Sequence, residues 1–401
     1  MREGWTYKKL GEVCTSITDG SHNPPKGIEH SEYRMISSQN IFDDDLRIND
    51  ETVRFLTEED HYKEDKRTKL SKDVVLLTIV GTIGRACVLA GTEGFLTLQR
   101  SVAALKPSEK VDSRFLMHCL IGNRERLNQE AHGIAQRGIY LRQLSELDIP
   151  IPPLSEQQSI VAELDKINEL ISLKKAQLSD LDSLAQSIFY DMFGDPIENE
   201  KGWEYLKLQT LIDNNIIIYH LDGNHGGDYP RSEEFVDRGV PYIGANCLND
   251  GSVDFSLAKY LPKEKADKLR KGLAKNGDVL FAHNATVGPV AFLNTKEPLV
   301  ILSTSLTAFR CNLEKMHPLF LRSYMQSTWF ESQYKSAMKQ TTRNQIPITK
   351  QKNMFFICPP LSLQQDFAKR IELIEQQKAQ ISSTIKDLET LLASRMQYWF
   401  D

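Results

Sequence analysis

The residues of this chain that could carry catalytic chemistry are nine histidines, six cysteines and one Asn-Pro-Pro string. Asn23, Pro24 and Pro25 are followed by Lys26. Adenine amino-methyltransferases carry N-P-P before an aromatic residue that stacks on a flipped base. Lys26 stands at that aromatic position, and no glycine-rich cofactor turn follows an early strand, so methyl transfer by this chain is not expected. The phosphate loop G-x-x-x-x-G-K-[ST], the dinucleotide turn G-x-G-x-x-G, the zinc motif H-E-x-x-H and the nucleophile elbow G-x-S-x-G are all missing. His22, His132, His225 and His283 fall in scattered loops, as surface or hydrogen-bonding residues rather than a catalytic set. Cys14, Cys87, Cys119, Cys247, Cys311 and Cys358 lie far apart, without C-x-x-C pairs or metal-ligand spacing. Reduced, buried thiols are expected, with no catalytic residue and no metal site.

The elements that would position any other function must be read from pattern. The 401 residues are 40% apolar, enough for two or three cored domains. Lys and Arg number 49 against 54 Asp and Glu, a net charge of −5. No overall positive field draws the chain to nucleic acid, so DNA binding would rest on local charge. No apolar run approaches the roughly 18 residues that span a bilayer, and Met1 to Val13 lacks a signal-peptide core. A soluble cytoplasmic protein is expected.

The strongest signal is an internal repeat. Residues 152–194 align without gaps on 359–401 at a constant offset of 207, with twelve identities. Both copies open on one phrase, P-P-L-S-E-Q-Q from Pro152 and P-P-L-S-L-Q-Q from Pro359. Upstream, G-W-T-Y-K-K-L at Gly4 recurs as G-W-E-Y-L-K-L at Gly202. Ile36-Ser-Ser-Gln-Asn answers Ile243-Gly-Ala-Asn-Cys, Gly84 answers Gly288, and Ser101 answers Ser305. A period of about 205 residues is too long for a solenoid. It is a duplicated domain with its tail.

The tails are expected to be long helices opening at Ser155 and Ser362, each three residues before a Gln in the S-x-x-Q capping-box form. Ile160, Leu164, Ile167, Ile171, Lys174, Leu178, Leu181, Ala185, Ile188 and Met192 alternate at spacings of four and three. Phe367, Ile371, Ile374, Lys378, Ile381, Ile385, Leu388, Leu392, Arg395 and Trp399 repeat the rhythm. These are heptad seams. Helices of 39 residues would run roughly 58 Å at about 1.5 Å per residue, and neither can bury its stripe alone. The economical solution packs them on each other, with Lys174 and Lys378 near mid-seam fixing register.

Between the tails lie globular segments of mixed α/β character. Val74 to Val80, Val279 to Ala282, Val102 to Leu105 and Leu306 to Phe309 read as strands; Arg114 to Glu130 and Pro318 to Lys339 read as helical. The strand order does not follow from sequence. Glu29 to Asp65 holds twelve acidic residues against four basic, and Lys66 to Arg142 thirteen basic against six acidic. Lys259 to Lys352 holds sixteen basic against six acidic. Such stretches suit a phosphate-tracking face, or a surface on which both charge types mingle.

Taken together, the repeated helix openings, G-W-x-Y-x-K-L near the start of each half, I-T-D-G-S-H at Ile17 to His22 and G-D-P at Gly194 to Pro196 give a chain that resembles the specificity subunit of Type I restriction-modification enzymes over essentially its whole length. The resemblance implies an α/β fold of mixed α+β type with pseudo-two-fold internal duplication. Two target-recognition domains, 1–151 and 196–358, would be joined and separated by spacer helices 152–195 and 359–401 forming an antiparallel coiled coil. It also implies a non-catalytic DNA-binding subunit that reads one half of a split target with each domain. Its partners would be double-stranded DNA, two modification (adenine N6 methyltransferase) subunits and, in some systems, two ATP-dependent restriction subunits. S-adenosylmethionine and ATP with Mg would sit on those partners, and no cofactor on this chain. The rival readings are a coiled-coil scaffold whose globular ends bind protein, and an enzyme of unrecognised chemistry.

Base edges are matched by Arg, Lys, Asn, Gln, Ser and Thr on exposed loops. The candidates in the first half are Thr18, Asp19, Ser21, His22, Ser38, Gln39, Asn40, Arg85, Gln99, Arg100, Gln136 and Arg137. In the second they are Asn246, His283, Asn284, Thr286, Thr304, Thr342, Arg343, Asn344 and Gln345. Arg137 and Asn344 share the 207 offset, and their loops rank highest. Asp222 to Gly227 (D-G-N-H-G-G) lies roughly where the first half has T-D-G-S-H-N, but gaps are needed, so no role is transferred there. The two segments differ more than the two helices do, which predicts unlike half-sites.

Overall fold

A computed structural model describes residues 4–92, 94–131, 137–225, 229–338 and 344–400. The chain forms two compact units, Met1–Ala176 with Ser382–Asp401, and Gln177–Ile381. Each unit therefore owns part of both long helices.

The first unit is built on an antiparallel sheet ordered Cys14–Asp19, Val102–Pro107, Val75–Thr78, Ala86–Val88. Alternate residues face opposite sides of a strand. Val75, Leu77, Ala103 and Leu105 pack with Phe115 and Leu116 of helix Ser113–Gly122. Leu76, Val102 and Ala104 pack with Ile36, Leu96 and Leu98 on the other side. Both faces are covered, which is why Val74 to Val80 is apolar without alternation. Full burial of such side chains contributes about 1.5–3 kcal/mol each. The layer beneath is a small sheet in which Tyr33–Ile36 pairs antiparallel with Arg54–Phe55 and parallel with Phe95–Leu98. A two-stranded ribbon, Thr6–Lys9 against Asp148–Ile151, closes the globular part.

The second unit repeats the plan. Its main sheet runs Ile217–Asp222, Leu306–Cys311, Val279–Asn284, Thr286–Phe292. Val240–Ile243 pairs parallel with Val300–Leu302 and antiparallel with Lys259–Leu261. Tyr205–Lys207 against Phe355–Ile357 forms the closing ribbon. The helical stretches expected from sequence are each two helices, Ser113–Gly122 with Arg124–Glu130 and Pro318–Met325 with Thr328–Met338.

The long helices are Leu154–Phe193 and Leu361–Phe400, 40 residues each. They begin one residue before the serines, so Ser155 and Ser362 lie inside the first turn and the expected capping box does not form. A glutamine of the repeated phrase fixes each start instead. Gln157 is fully buried; its Oε1 accepts from the backbone N–H of Asp112 at 2.9 Å, and its Nε2 donates to the carbonyls of Lys110 at 3.0 Å and Pro152 at 2.9 Å. Gln364 accepts from the N–H of His317 at 2.8 Å and donates to the carbonyl of Pro359 at 2.7 Å. Asp112 and His317 cap matching helices, Ser113–Gly122 and Pro318–Met325.

Within the first unit the opening of one long helix meets the end of the other, antiparallel. Glu163 accepts from Arg395 and, at 3.1 Å, from the indole N–H of Trp399; Lys175 pairs with Glu389 at 2.9 Å. Ile160, Leu164, Ile167, Ile171 and Ile385 are buried there, and Leu388 and Leu392 half-buried. Within the second unit Leu181, Ile371, Ile374, Ile381 and Phe367 are buried and Leu178 half-buried. Lys378, near mid-seam, pairs with Asp182. The heptad reading slips at the end of the first helix, where Ile188 is half-buried and Phe189 and Phe193 form the contact, their rings 5.8 and 5.3 Å from Phe367. A 3.6-residue helix drifts off a 3.5-residue repeat, and the large rings take over. Among the described residues no helix is long and apolar enough to cross a membrane.

Candidate nucleic-acid interface

In the first unit, loops distant in sequence converge at one end of the two sheets, tied by hydrogen bonds from backbone N–H groups. Gln99 N–H donates to the Ile36 carbonyl at 2.9 Å, Ser38 N–H to Ser101 Oγ at 3.0 Å, Ile79 N–H to the Ser101 carbonyl at 2.9 Å, and Gly81 N–H to the Arg137 carbonyl at 3.2 Å. The second unit makes the same four. Ser303 N–H donates to the Ile243 carbonyl at 2.8 Å, Ala245 N–H to Ser305 Oγ at 3.0 Å, His283 N–H to the Ser305 carbonyl at 2.9 Å, and Ala285 N–H to the Asn344 carbonyl at 2.9 Å. Gly81 and Ala285 both carry positive φ, 81° and 64°. One frame thus holds Gln39, Gln99 and Arg100 in one unit and Asn246, Ser303 and Thr304 in the other.

Not every sequence candidate is free to read. Asn40 is buried, its Oδ1 accepting from Ser37 N–H at 2.9 Å and its Nδ2 donating to the Arg47 carbonyl at 3.0 Å, so it shapes its loop. Ser21 is buried beside Gln99, and Thr18 is a half-buried residue of strand Cys14–Asp19. His283 is not a loop residue but lies buried in strand Val279–Asn284, Nδ1 3.1 Å from the Ile346 carbonyl, with burial lowering its pKa. Asp19 is buried and accepts from Arg67 and His22. Gln39, His22, Arg100 and Arg137 are exposed; Ser38, Gln99 and Arg85 are half-buried, with Arg85 stacked 5.0 Å over Phe42. In the second unit Asn246, Thr286 and Asn344 are exposed, and Asn284, Thr304 and Gln345 half-buried. Gln136, Thr342, Arg343 and His132 lie outside the described residues.

Asn246, Asn284 and Thr286 line one cavity of about 640 Å³ together with Tyr229, Phe235, Tyr242, Arg231 and Lys259. The last five were not singled out from sequence, because they stand outside the repeated phrases. Burial raises the Tyr242 hydroxyl pKa, so that ring keeps its proton. A wall of aromatics, amides and two cations offers stacking faces, paired donors and acceptors, and positive charge, the groups used on bases and phosphates. The basic stretch of the first unit is partly taken up internally: Arg124 pairs with Asp43, Arg114 with Asp44 and Asp165, and Arg67 with Asp19. In the second unit Arg310 pairs with Asp278 and Arg322 with Glu375. The two charge types mingle; Arg100, Arg231 and Lys259 are exposed cations of the described residues at the loop ends, while the exposed Arg137 donates from Nη2 to the Asn128 carbonyl at 2.7 Å. Among the described residues no cluster of three or more His, Cys, Asp or Glu could hold a metal ion.

Sequence reasoning also stopped short at Asp222 and His225. Their carboxylate and Nε2 stand 2.7 Å apart, as those of Asp19 and His22 do. The shared D-G-x-H spacing was the available signal.

The profile of the Type I restriction modification DNA specificity domain matches residues 2–182 and again 200–390. The chain belongs to this family. As a specificity subunit it is a non-catalytic member of its system, with two recognition domains. It is 22% identical over 344 residues to the Type I restriction enzyme MjaVIII specificity subunit of Methanocaldococcus jannaschii, covering 80% of this chain and 78% of that one. The crystal structure of the Type I restriction-modification S subunit from M. genitalium shares its fold with a TM-score of 0.56 at 15% identity, covering 99% of this chain and 96% of that one. A second solved chain, from work on complex assembly and conformational transition of the Type I restriction-modification system, gives 0.55 at 17%, covering 100% and 98%.

Proposed function

We propose that this specificity subunit reads a split, asymmetric DNA target, one half-site per unit, through the loop ends of each pair of sheets. The observation that carries this reading is the four-bond frame repeated in both units around unlike side chains. Gln39, Gln99 and Arg100 offer a different pattern of donors and acceptors from Asn246 and Thr304, so the two words differ. Phosphate contacts by Arg100, Arg137, Arg231 and Lys259 supply affinity, and the amides and hydroxyls the choice of site. The paired helices dock two adenine N6 methyltransferase subunits and, in a nuclease-bearing assembly, two restriction subunits. S-adenosylmethionine and ATP with Mg bind those partners. The formal charge of −5 leaves the free chain a weak DNA binder that its partners complete.

The test is a map of methylated adenines in cells carrying the complex, before and after Gln39, Gln99 and Arg100 are replaced together by alanine. One half of the methylated sequence should relax while the other half is kept. Relaxation of both halves, or a target written as one uninterrupted word, overturns the reading.

A further inference from the structure

We propose that the repeated Asp-Gly-x-His turn, Asp19 to His22 in one unit and Asp222 to His225 in the other, is a clamp for a DNA backbone phosphate. The inference rests on the reading that these loop ends meet DNA, and assigns them a task different from base recognition. In both turns the aspartate side chain is recessed, 9% and 15% exposed, while the imidazole is half open, 54% and 53% exposed. Nε2 lies 2.7 Å from the carboxylate in each. The intervening Gly20 and Gly223 press on the backbone of Leu98–Gln99 and Leu302–Ser303, leaving no room for a Cβ. Backbone, carboxylate and ring orientation are therefore kept in both units, while the neighbouring readers are changed.

Two bodies that read unlike words can share only contacts that do not depend on the word. On a duplex that means the phosphates. A ring whose Nε2–H is held by a carboxylate turns Nδ1 away from it. Once protonated, the imidazolium donates Nε2–H to the aspartate and Nδ1–H to a phosphate oxygen, a charge-assisted pair of bonds. The groups around the first are Asp19, Arg67, which also donates to Asp19, and Arg100, whose N–H donates to the Ser21 carbonyl. Around the second stand Asp222 and the strand residues His220 and His283, both kept neutral by burial, with Lys271 held through its backbone by Asn224.

The experiment measures DNA affinity of the assembled complex with its methyltransferase partner, using a duplex that carries the target and a scrambled duplex. H22Q and H225Q should each weaken binding to both duplexes alike, by about tenfold, the value of one charged hydrogen bond. Each should flatten the slope of log K against log salt by about 1. H22R and H225R, with a permanent cation, should restore affinity. A changed set of methylated sequences in any variant, or unaltered affinity and salt slope in the glutamine variants, overturns the clamp alone. A wild-type complex that does not distinguish target from scrambled DNA overturns the DNA-reading proposal and the clamp with it.

Discussion

The phrase that opens both long helices contains two adjacent glutamines, and only the first of each pair is buried. Gln157 makes three hydrogen bonds to backbone groups, whereas Gln158 is exposed. Replacing Gln157 by leucine roughly keeps the volume but strips the partly buried Asp112 N–H of this acceptor and the carbonyls of Lys110 and Pro152 of a donor. A buried polar group left without its partner costs about 1–3 kcal/mol. The N–H accounts for most of this and each carbonyl for a fraction, because its second lone pair can still find water. Q157L should therefore be destabilised by about 3 kcal/mol, while Q158L, at a surface position, should stay within about 0.5 kcal/mol. Urea unfolding followed by tryptophan fluorescence reads the difference, with hydrogen exchange at the start of Ser113–Gly122 locating it. Q364L, which removes two bonds, should cost somewhat less and act on the second unit. Equal midpoints for Q157L and Q158L would refute the assignment of Gln157 as the bond between helix and body.

Three other outcomes are expected. Gly20→Ala and Gly223→Ala force a Cβ into backbone atoms, and each should destabilise its unit by about 2–4 kcal/mol through strain, measured as a drop in Tm. Burial holds the His220 pKa down to about 4. The unfolded chain, with histidine near 6.5, binds the proton first, so stability is full above about pH 6.5 and falls as pH drops towards 4; the loss reaches about 2 kcal/mol at pH 5. Urea midpoints at the two pH values check this, and His220→Gln should flatten the difference. N246A with N284A should relax only the half-site opposite to the one governed by Gln39, Gln99 and Arg100, by about 1–3 kcal/mol for each bidentate pair of hydrogen bonds removed, read from the methylated sequences.

What could be read from sequence followed from periodicity. The seams from Ile160 to Leu181 and from Phe367 to Ile385 are buried or half-buried at the positions where spacing puts them, because a helix repeats often enough to average out single exceptions. The helix starts were missed by one residue because the serines imitate a cap, while the deciding contacts of Gln157 and Gln364 come from Asp112 and His317, some 45 residues upstream in chain order. Candidate readers were picked by side-chain type, which finds Gln39, Arg100 and Asn246 but cannot tell them from Asn40, whose amide is consumed by its own loop. Tyr229, Tyr242 and Lys259 carry no local signal; strands Val240–Ile243 and Lys259–Leu261 bring Tyr242 and Lys259 to the cavity beside Asn284, and a loop brings Tyr229.

The closing ribbons have a consequence for how new addresses arise. Thr6–Lys9 lies against Asp148–Ile151, and Tyr205–Lys207 against Phe355–Ile357, so in each unit the chain enters and leaves the globular body through a single narrow neck. Everything beyond that neck lies between its two strands in the chain, and a replacement must keep the backbone groups of Lys110, Asp112 and His317 that the helix glutamines bind. In each unit the frame that a replacement must fit is thus small, one two-stranded ribbon and the backbone groups that one buried glutamine binds.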